Sequence, residues 1–135
     1  MAVAYDDIRA ALEVKLSTLS ELPTVSWENA HSEPKLPDEY LKPRFLPTRR
    51  EPAVRGLSPQ MYYQGIFLVE CYTQEGKGPG AADALANKII EAFDATTDLE
   101  FRDTYVSIRY AERELGEVDG SYYMVPVNIG WYCYK

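Results

Sequence analysis

The sequence predicts an α+β fold in which two helices pack on one face of a mixed or antiparallel sheet of about five to six strands. Two segments repeat apolar residues at steps of three and four, the spacing of a buried helix face. The other ordered segments alternate apolar and polar residues or are rich in tyrosine, valine and isoleucine, as strands are. The order α-β-β-β-α-β-β-β is typical of a helix layer on a sheet. At 135 residues, positions 1–135 form one domain.

The first helix is predicted over residues 4–20. Asp6 and Asp7 lie in its first turn, where the helix dipole favours acidic side chains, and Pro23 ends it. Its apolar stripe consists of Tyr5, Ile8, Leu12, Leu16 and Leu19.

A strand over residues 24–30 and a proline-rich segment follow. Val25 and Trp27 alternate with Ser26 and Glu28, which indicates a half-buried strand. Six of the nine prolines then fall between residues 34 and 59, so no helix forms there. Residues 39–47 are predicted as an edge strand, because a central strand rarely accommodates proline. Residues 48–59 are predicted as an exposed loop, and about 33–59 together as a basic arm.

The second half of the chain carries one more helix and four predicted strands. Residues 61–74 form a long strand, and residues 79–93 a helix with Ala82, Leu85, Ile89 and Phe93 buried. Three strands close the chain, and the turn "EVDGS" separates the last two, with Asp119-Gly120 as a hairpin signal.

The glycine-rich stretch "EGKGPG" is a helix entry and not a phosphate site. A phosphate-binding loop requires Ser or Thr after Gly-Lys, whereas Gly78 follows Lys77 here. Pro79 removes an amide that a bound anion would need, and it suits the first position of a helix. No nucleotide cofactor is expected.

The remaining chemistry-bearing residues do not form a recognisable site. His31 is the one histidine and has no nucleophile elbow or cysteine nearby, so we interpret it as a loop residue. Cys71 and Cys133 lack the paired spacing of a zinc site and are interpreted as buried free thiols. We therefore predict no catalytic, cofactor-binding or metal-binding residues, and a chain that is not an enzyme.

The net charge of −7 is unevenly distributed. Residues 31–58 hold six basic and four acidic side chains, whereas the rest of the chain is strongly acidic. An acidic body binds nucleic acid poorly, since phosphate contacts supply most of that affinity. No apolar run approaches the length of a membrane span, and two aspartates near the start do not suit a secretion signal. We expect cytoplasmic synthesis and no membrane partner.

Four motifs in order resemble the small tail-terminator-like proteins of long-tailed bacteriophages and prophages. They are "WEN" at 27–29, "YLKPRFLP" at 40–47, "GKGPG" at 76–80 and "VPVNI" at 125–129. The resemblance covers nearly the whole chain. One stretch departs from it, because "HSEPKLPDEY" places an acidic pair beside Tyr40.

The resemblance implies a structural virion protein of the head-proximal tail end, assembled in the host cytoplasm. It implies a homo-hexameric ring that caps the tail tube, stops its polymerisation and presents the head-joining surface. The implied partners are other copies of the chain, the tail tube protein and a head-completion or neck protein, with DNA passing through the ring without specific binding.

Basic residues of the arm and neighbouring tyrosines are the predicted subunit and tube contacts. Because two helices cover only one face of the sheet, some tyrosines are expected to face another subunit. The residues assigned to these contacts are Arg44, Arg49, Arg50, Arg55, Tyr62 and Tyr63. Residues 47–59 are expected to become ordered only on assembly.

Two alternative functions remain open from the sequence. Another head–tail joint subunit, such as a head-completion or neck protein, would have similar size and acidity. A small hydrolase or binding module using His31 and an acidic pocket would belong to a different class.

Overall fold

The helices form where the apolar stripes predict them. A computed structural model describes residues 3–29, 37–56, 59–95 and 97–135. Helix α1 spans Tyr5–Ser17 and buries Ile8, Leu12 and Leu16. Helix α2 spans Gly80–Ala92 and buries Ala82, Leu85, Ala86 and Ile89. The predicted stripes are confirmed within the helices, but α1 ends three residues earlier than predicted, so Leu19 lies beyond it and is only partly buried, and Phe93 follows the end of α2.

The sheet has seven strands, one more than the upper end of the predicted range. Six strands lie side by side in the order β1-β2-β3-β7-β5-β4, and β6 pairs with β7. The β1–β2 pair is parallel and all other pairs are antiparallel, so the sheet is mixed as predicted. The strands are β1 (Thr24–Val25), β2 (Tyr40–Pro52), β3 (Met61–Gln74), β4 (Asp98–Phe101), β5 (Thr104–Arg113), β6 (Glu117–Asp119) and β7 (Tyr122–Tyr134).

The additional strand is β6, which the sequence interpretation treated as part of a turn. The Asp119-Gly120 signal is a turn, with Gly120 at a φ of 62°. It joins β6 to β7, however, and not β5 to β7. The prediction failed because a strand of three exposed residues carries too few side chains to show alternation.

One apolar core lies between the two helices and one face of the sheet. Alternate residues of β3 and β7 face the helices, so Phe67 and Val69 pair across with Ile129 and Val127 in the core. Phe93, directly after α2, packs against Phe67 with ring centroids 6.1 Å apart. The opposite face of the sheet has no helix over it in the described residues.

Strand β2 is longer than predicted and corrects the interpretation of the arm. Its first part coincides with the edge strand predicted at 39–47. The short strand β1 pairs only with Tyr40 and Leu41, so the rest of the outer edge of β2 has no partner strand in the described residues. The prediction of a structureless loop is wrong for Thr48–Pro52, which continues the strand. A bulge between Pro47 and Arg49 shifts the register, and Pro52 pairs with Met61. Of the rest of the arm, residues 33–36 and 57–58 lie outside the described residues.

The prolines of β2 lie where a strand edge would otherwise offer backbone donors. The Phe45 N–H points outward and donates to Glu28 Oε1 at 2.5 Å. Pro43 and Pro47 share this outward side, because N–H groups alternate along a strand. Beyond the bulge, Met61 N–H donates to the carbonyl of Lys135, directly after β7, so the nitrogen of its partner Pro52 also faces outward. Three outward positions of this edge therefore carry no donor.

Candidate assembly surfaces

The face of the sheet opposite the helices, here called the open face, is not covered by any helix of the described residues. Ile66, Leu68 and Pro126 lie on this face, and their side chains are only half-buried. Leu46, on the adjacent β2, is 42% exposed. Contiguous apolar surface on a soluble subunit commonly marks an interaction site. This face is therefore a candidate for contact with another protein.

A group of tyrosines and one arginine occupies one end of the open face. We call Tyr62, Arg109, Tyr132 and Tyr134 the arginine–tyrosine cluster. The ring of Tyr62 lies 5.0 Å from Tyr134 and 6.4 Å from Tyr132. Arg109 Nη2 donates to the Tyr62 hydroxyl at 2.6 Å, and its Cζ lies 5.2 Å from the centre of the Tyr132 ring. Tyrosine and arginine are the residue types that most often dominate protein interfaces.

Two strand bulges shape the surface beside this cluster. One lies in β2 around Thr48, and the other lies in β5 around Arg109. Between them is a cavity of about 150 Å³. Gly65 and Gly130 line part of it. A bulge inserts a residue and redirects its side chain, which fits the position of Arg109 over the tyrosine rings.

Of the two tyrosines assigned to contacts from the sequence, only Tyr62 is in the surface cluster. Tyr63 is 1% exposed and lies on the core side of β3, so its ring is not a surface contact. Its hydroxyl accepts hydrogen bonds from Arg50 Nε and from the backbone N–H of Ala4, both at 3.3 Å. The role of Tyr63 is therefore to hold Arg50 and the start of the chain in place.

The other assigned arginines are spread along β2 and the turn after it. Arg44 Nε lies 3.1 Å from Glu70 Oε1, and this carboxylate is nearly buried. Arg49 lies 3.7 Å from Glu51, and because both side chains are more than half exposed the pair is worth at most about 1 kcal/mol. Arg55 is exposed in the turn at 53–56.

The opposite end of the open face carries a second aromatic group. The rings of Tyr40 and Tyr72 stack at 4.5 Å, and Tyr122 packs edge-on to Tyr40 at 5.1 Å. Burial, followed by the charge of Glu70, raises the pKa of the Tyr72 hydroxyl far above its usual range. This group is well packed and serves as a small second core with Met124.

A short acidic hairpin lies beside this second group, where Asp119 Oδ2 accepts a hydrogen bond from the Tyr72 hydroxyl at 3.4 Å. We call residues 114–119 the acidic hairpin. Leu115 is 88% exposed and Val118 is 61% exposed. Glu114, Glu117 and Asp119 are their neighbours in sequence and are also exposed. The hairpin thus presents two exposed apolar side chains together with three exposed acidic ones.

The glycine-rich stretch turns the chain from β3 into α2. Gly76 and Gly78 have φ values of 84° and 80°, a conformation that favours glycine. Pro79 is the N-cap, and α2 begins at Gly80, one residue later than predicted. Pro79 O accepts from Asp83 N–H at 2.9 Å, so this carbonyl closes the first turn of the helix.

The two cysteines are buried and unpaired, as predicted. Burial raises the pKa of the Cys71 thiol to about 12 and that of Cys133 to about 11. Because the thiolate is the reactive form, we expect a thiol reagent at pH 8 to label the folded protein at least about a hundredfold more slowly than the protein in urea. Equal labelling rates would contradict the buried positions.

The free energy of unfolding should also decline as the pH rises above 9, because the thiols ionise there in the unfolded chain but not in the folded one.

The described residues show no metal site and no membrane-spanning helix. Among them, no three His, Cys, Asp or Glu side chains are grouped to hold a metal ion. Neither helix is long and apolar enough to cross a bilayer. His31 lies outside the described residues, so the structure does not place it.

The sequence matches a known protein family over most of its length. Residues 7–131 match the family described as phage tail terminator protein. The chain belongs to the phage tail terminator family. The sequence resemblance to tail terminators is thereby confirmed, and the chain is a structural, tail-associated protein of bacteriophage-type virions. No curated protein matches the sequence.

Two solved structures share the fold of this tail terminator chain. One, which has no descriptive name, has a TM-score of 0.77 and 23% identity, covering 99% of this chain and 97% of its own. The other is a chain of the virion of a native gene transfer agent particle, with a TM-score of 0.67, 13% identity and full coverage of both chains. At these identities the two structures support the fold.

The surface of this tail terminator was only partly predictable. Tyr62, Arg44 and Arg49 were assigned from the sequence and do lie on the open face. Arg109, Tyr132 and Tyr134 were missed. The alternation in "WYCYK" could have placed Tyr132 and Tyr134 on one side of a strand, opposite the buried Cys133.

Proposed function

We propose that this chain is the tail terminator subunit that forms a hexameric ring on the head-proximal end of the tail tube. In that position the ring stops tube polymerisation and presents the surface that joins the head. The observation that carries the proposal is the family match over residues 7–131. The proposed partners are other copies of the chain, the tail tube protein and a head-completion or neck protein.

The open face and the charge of the subunit support this proposal. A ring subunit requires two different contact surfaces, and the two ends of the open face differ in both shape and charge. The net charge of −7 suits a channel through which DNA slides, because a negatively charged protein surface repels the DNA phosphates and prevents adhesion. The Arg49 and Arg50 region remains a proposed contact with a neighbour or with the tube.

The test is an in-frame deletion of the gene in a phage or prophage that carries it. We expect tubes longer than the wild-type length and heads without attached tails, both corrected by a plasmid copy. Averaged images of complemented tails should show a six-fold collar. Tubes of normal length in the deletion strain would contradict the terminator role, and a three-fold or twelve-fold collar would contradict the hexamer.

Copurification distinguishes the main alternative, a neck or head-completion subunit. A terminator should remain with tail tubes when heads and tails are separated. A neck subunit should remain with DNA-filled heads.

A further inference from the structure

We propose that the arginine–tyrosine cluster of one copy binds the acidic hairpin of the next copy in the ring. This inference rests on the proposed ring of identical subunits, and it identifies the two surfaces that meet. It concerns Tyr62, Arg109, Tyr132 and Tyr134 on one side and residues 114–119 on the other.

The arginine–tyrosine cluster has the properties of a receptor surface for an acidic partner. Arg109 is exposed, and no carboxylate of the described residues lies within 4.0 Å of it. Its guanidinium is held in position by the Tyr62 hydroxyl and the Tyr132 ring. Tyr134 is 51% exposed beside them. An oriented, unpaired cation among aromatic rings is suited to bind a carboxylate next to apolar groups.

The acidic hairpin has the complementary properties. Its apolar residues Leu115 and Val118 are among the most exposed large hydrophobic side chains in the described chain. Burying them would remove apolar surface from water, which stabilises a contact. The one nearby arginine, Arg113, is engaged with Asp83 of α2. Glu114 accepts a hydrogen bond from Asn128 Nδ2 at 2.7 Å, and Asp119 accepts one from the Tyr72 hydroxyl at 3.4 Å. Among the described residues, no basic side chain forms an ion pair with these two carboxylates or with Glu117, so their charge is not neutralised within the subunit.

The positions of the two surfaces make the contact one between subunits. The hairpin leads into β7 near Tyr122, whereas Tyr132 and Tyr134 lie at the other end of β7. Ten strand residues span roughly 33 Å, so the hairpin cannot reach the cluster of its own chain. Two different surfaces that bind each other produce a head-to-tail contact, which closes into a ring when the rotation allows it.

Charge reversal tests the contact in particles. Arg109→Glu and Glu117→Arg should each lower the titre of complemented phage at least about tenfold, because like charges then face each other at every subunit boundary. The double variant Arg109→Glu/Glu117→Arg should recover most of the titre. Both positions are exposed, so thermal melting of the purified variants should match wild type and exclude misfolding.

Site-specific cross-linking tests the same contact without relying on charge. Complemented tails carrying Val118→Cys and Tyr134→Cys should give a disulfide ladder up to the hexamer on oxidation. Glu21→Cys with Tyr134→Cys is the matched control, because the Glu21 side chain is at least as exposed as that of Val118 but follows α1 and is not part of the hairpin. The native cysteines are buried and do not contribute.

The outcomes separate this inference from the proposed function. Ladders in the Val118/Tyr134 pair together with charge-swap recovery support the contact. A six-fold collar whose subunits do not cross-link at this pair, or that tolerates Arg109→Glu, overturns the contact and leaves the terminator role intact. The absence of any ring of wild-type protein on tails overturns both.

Discussion

Replacement of Trp131 by alanine is expected to lower the free energy of unfolding by about 3–5 kcal/mol. Trp131 is 1% exposed in the central strand β7 and is among the largest fully buried side chains. Its ring stacks on Phe45 of β2 at 5.3 Å with an interplanar angle of 9°. The ring also lies over Gly65, so its removal leaves a void that backbone atoms cannot fill. A domain of this size has a total stability of about 5–15 kcal/mol, so much of it would be lost.

Urea denaturation followed by circular dichroism measures this loss. The matched control is Tyr134→Ala, which removes another aromatic ring from β7, one that is half exposed and lies outside the apolar core; we expect a much smaller change. Trp131→Phe retains a stacked ring and removes an indole N–H that has no hydrogen-bond partner in the described structure, so it should also lose less than alanine. Similar urea midpoints for Trp131→Ala and Tyr134→Ala would contradict this account of the core.

Gly65→Ala is expected to cost about 1–3 kcal/mol, a large effect for one methyl group. A Cβ at Gly65 would lie 2.5 Å from Leu46 O and 2.8 Å from Pro47 Cα, and these are backbone atoms of β2. It would also lie 2.6 Å from Trp131 Cζ2. Side-chain rotation cannot relieve a contact with backbone, so β2 and β3 would have to separate beside the bulge.

The control for this change is Gly80→Ala at the start of α2. No atom lies within 4 Å of a Cβ built at Gly80, and alanine is favoured over glycine in a helix. We expect equal or slightly higher stability for Gly80→Ala. Thermal melting of both variants in one buffer is the measurement, and a melting temperature for Gly65→Ala equal to wild type would show that β2 accommodates the methyl group.

The sequence predicted those elements whose signal is local. The stripe of Ile8, Leu12 and Leu16 marks α1 because a helix buries one face of its own surface. The long strand at 61–74 was found with its bounds, since its alternation extends over many residues. In each case neighbours in sequence determine the structure.

The missed features depend on partners that are distant in sequence. Residues 48–52 contain two arginines and a proline and resemble a loop in sequence, but β3 pairs with this segment from Arg49 to Pro52. The arginine–tyrosine cluster requires the β3–β7 register and the bulge at Arg109, neither of which is visible in composition. Tyr63 was assigned to the surface for the same reason, because one step of register separates it from Tyr62.

The three outward prolines of β2 have a consequence for the unassembled protein. Exposed strand edges are templates on which further chains add to a sheet, and this addition has no natural end. Pro43, Pro47 and Pro52 withhold donors from such an edge, and Glu28 occupies the N–H of Phe45. Unassembled subunits are thus protected against fibre growth at the β2 edge. This property suits the proposed role, in which the subunit ends the growth of a tube and should not start a polymer of its own.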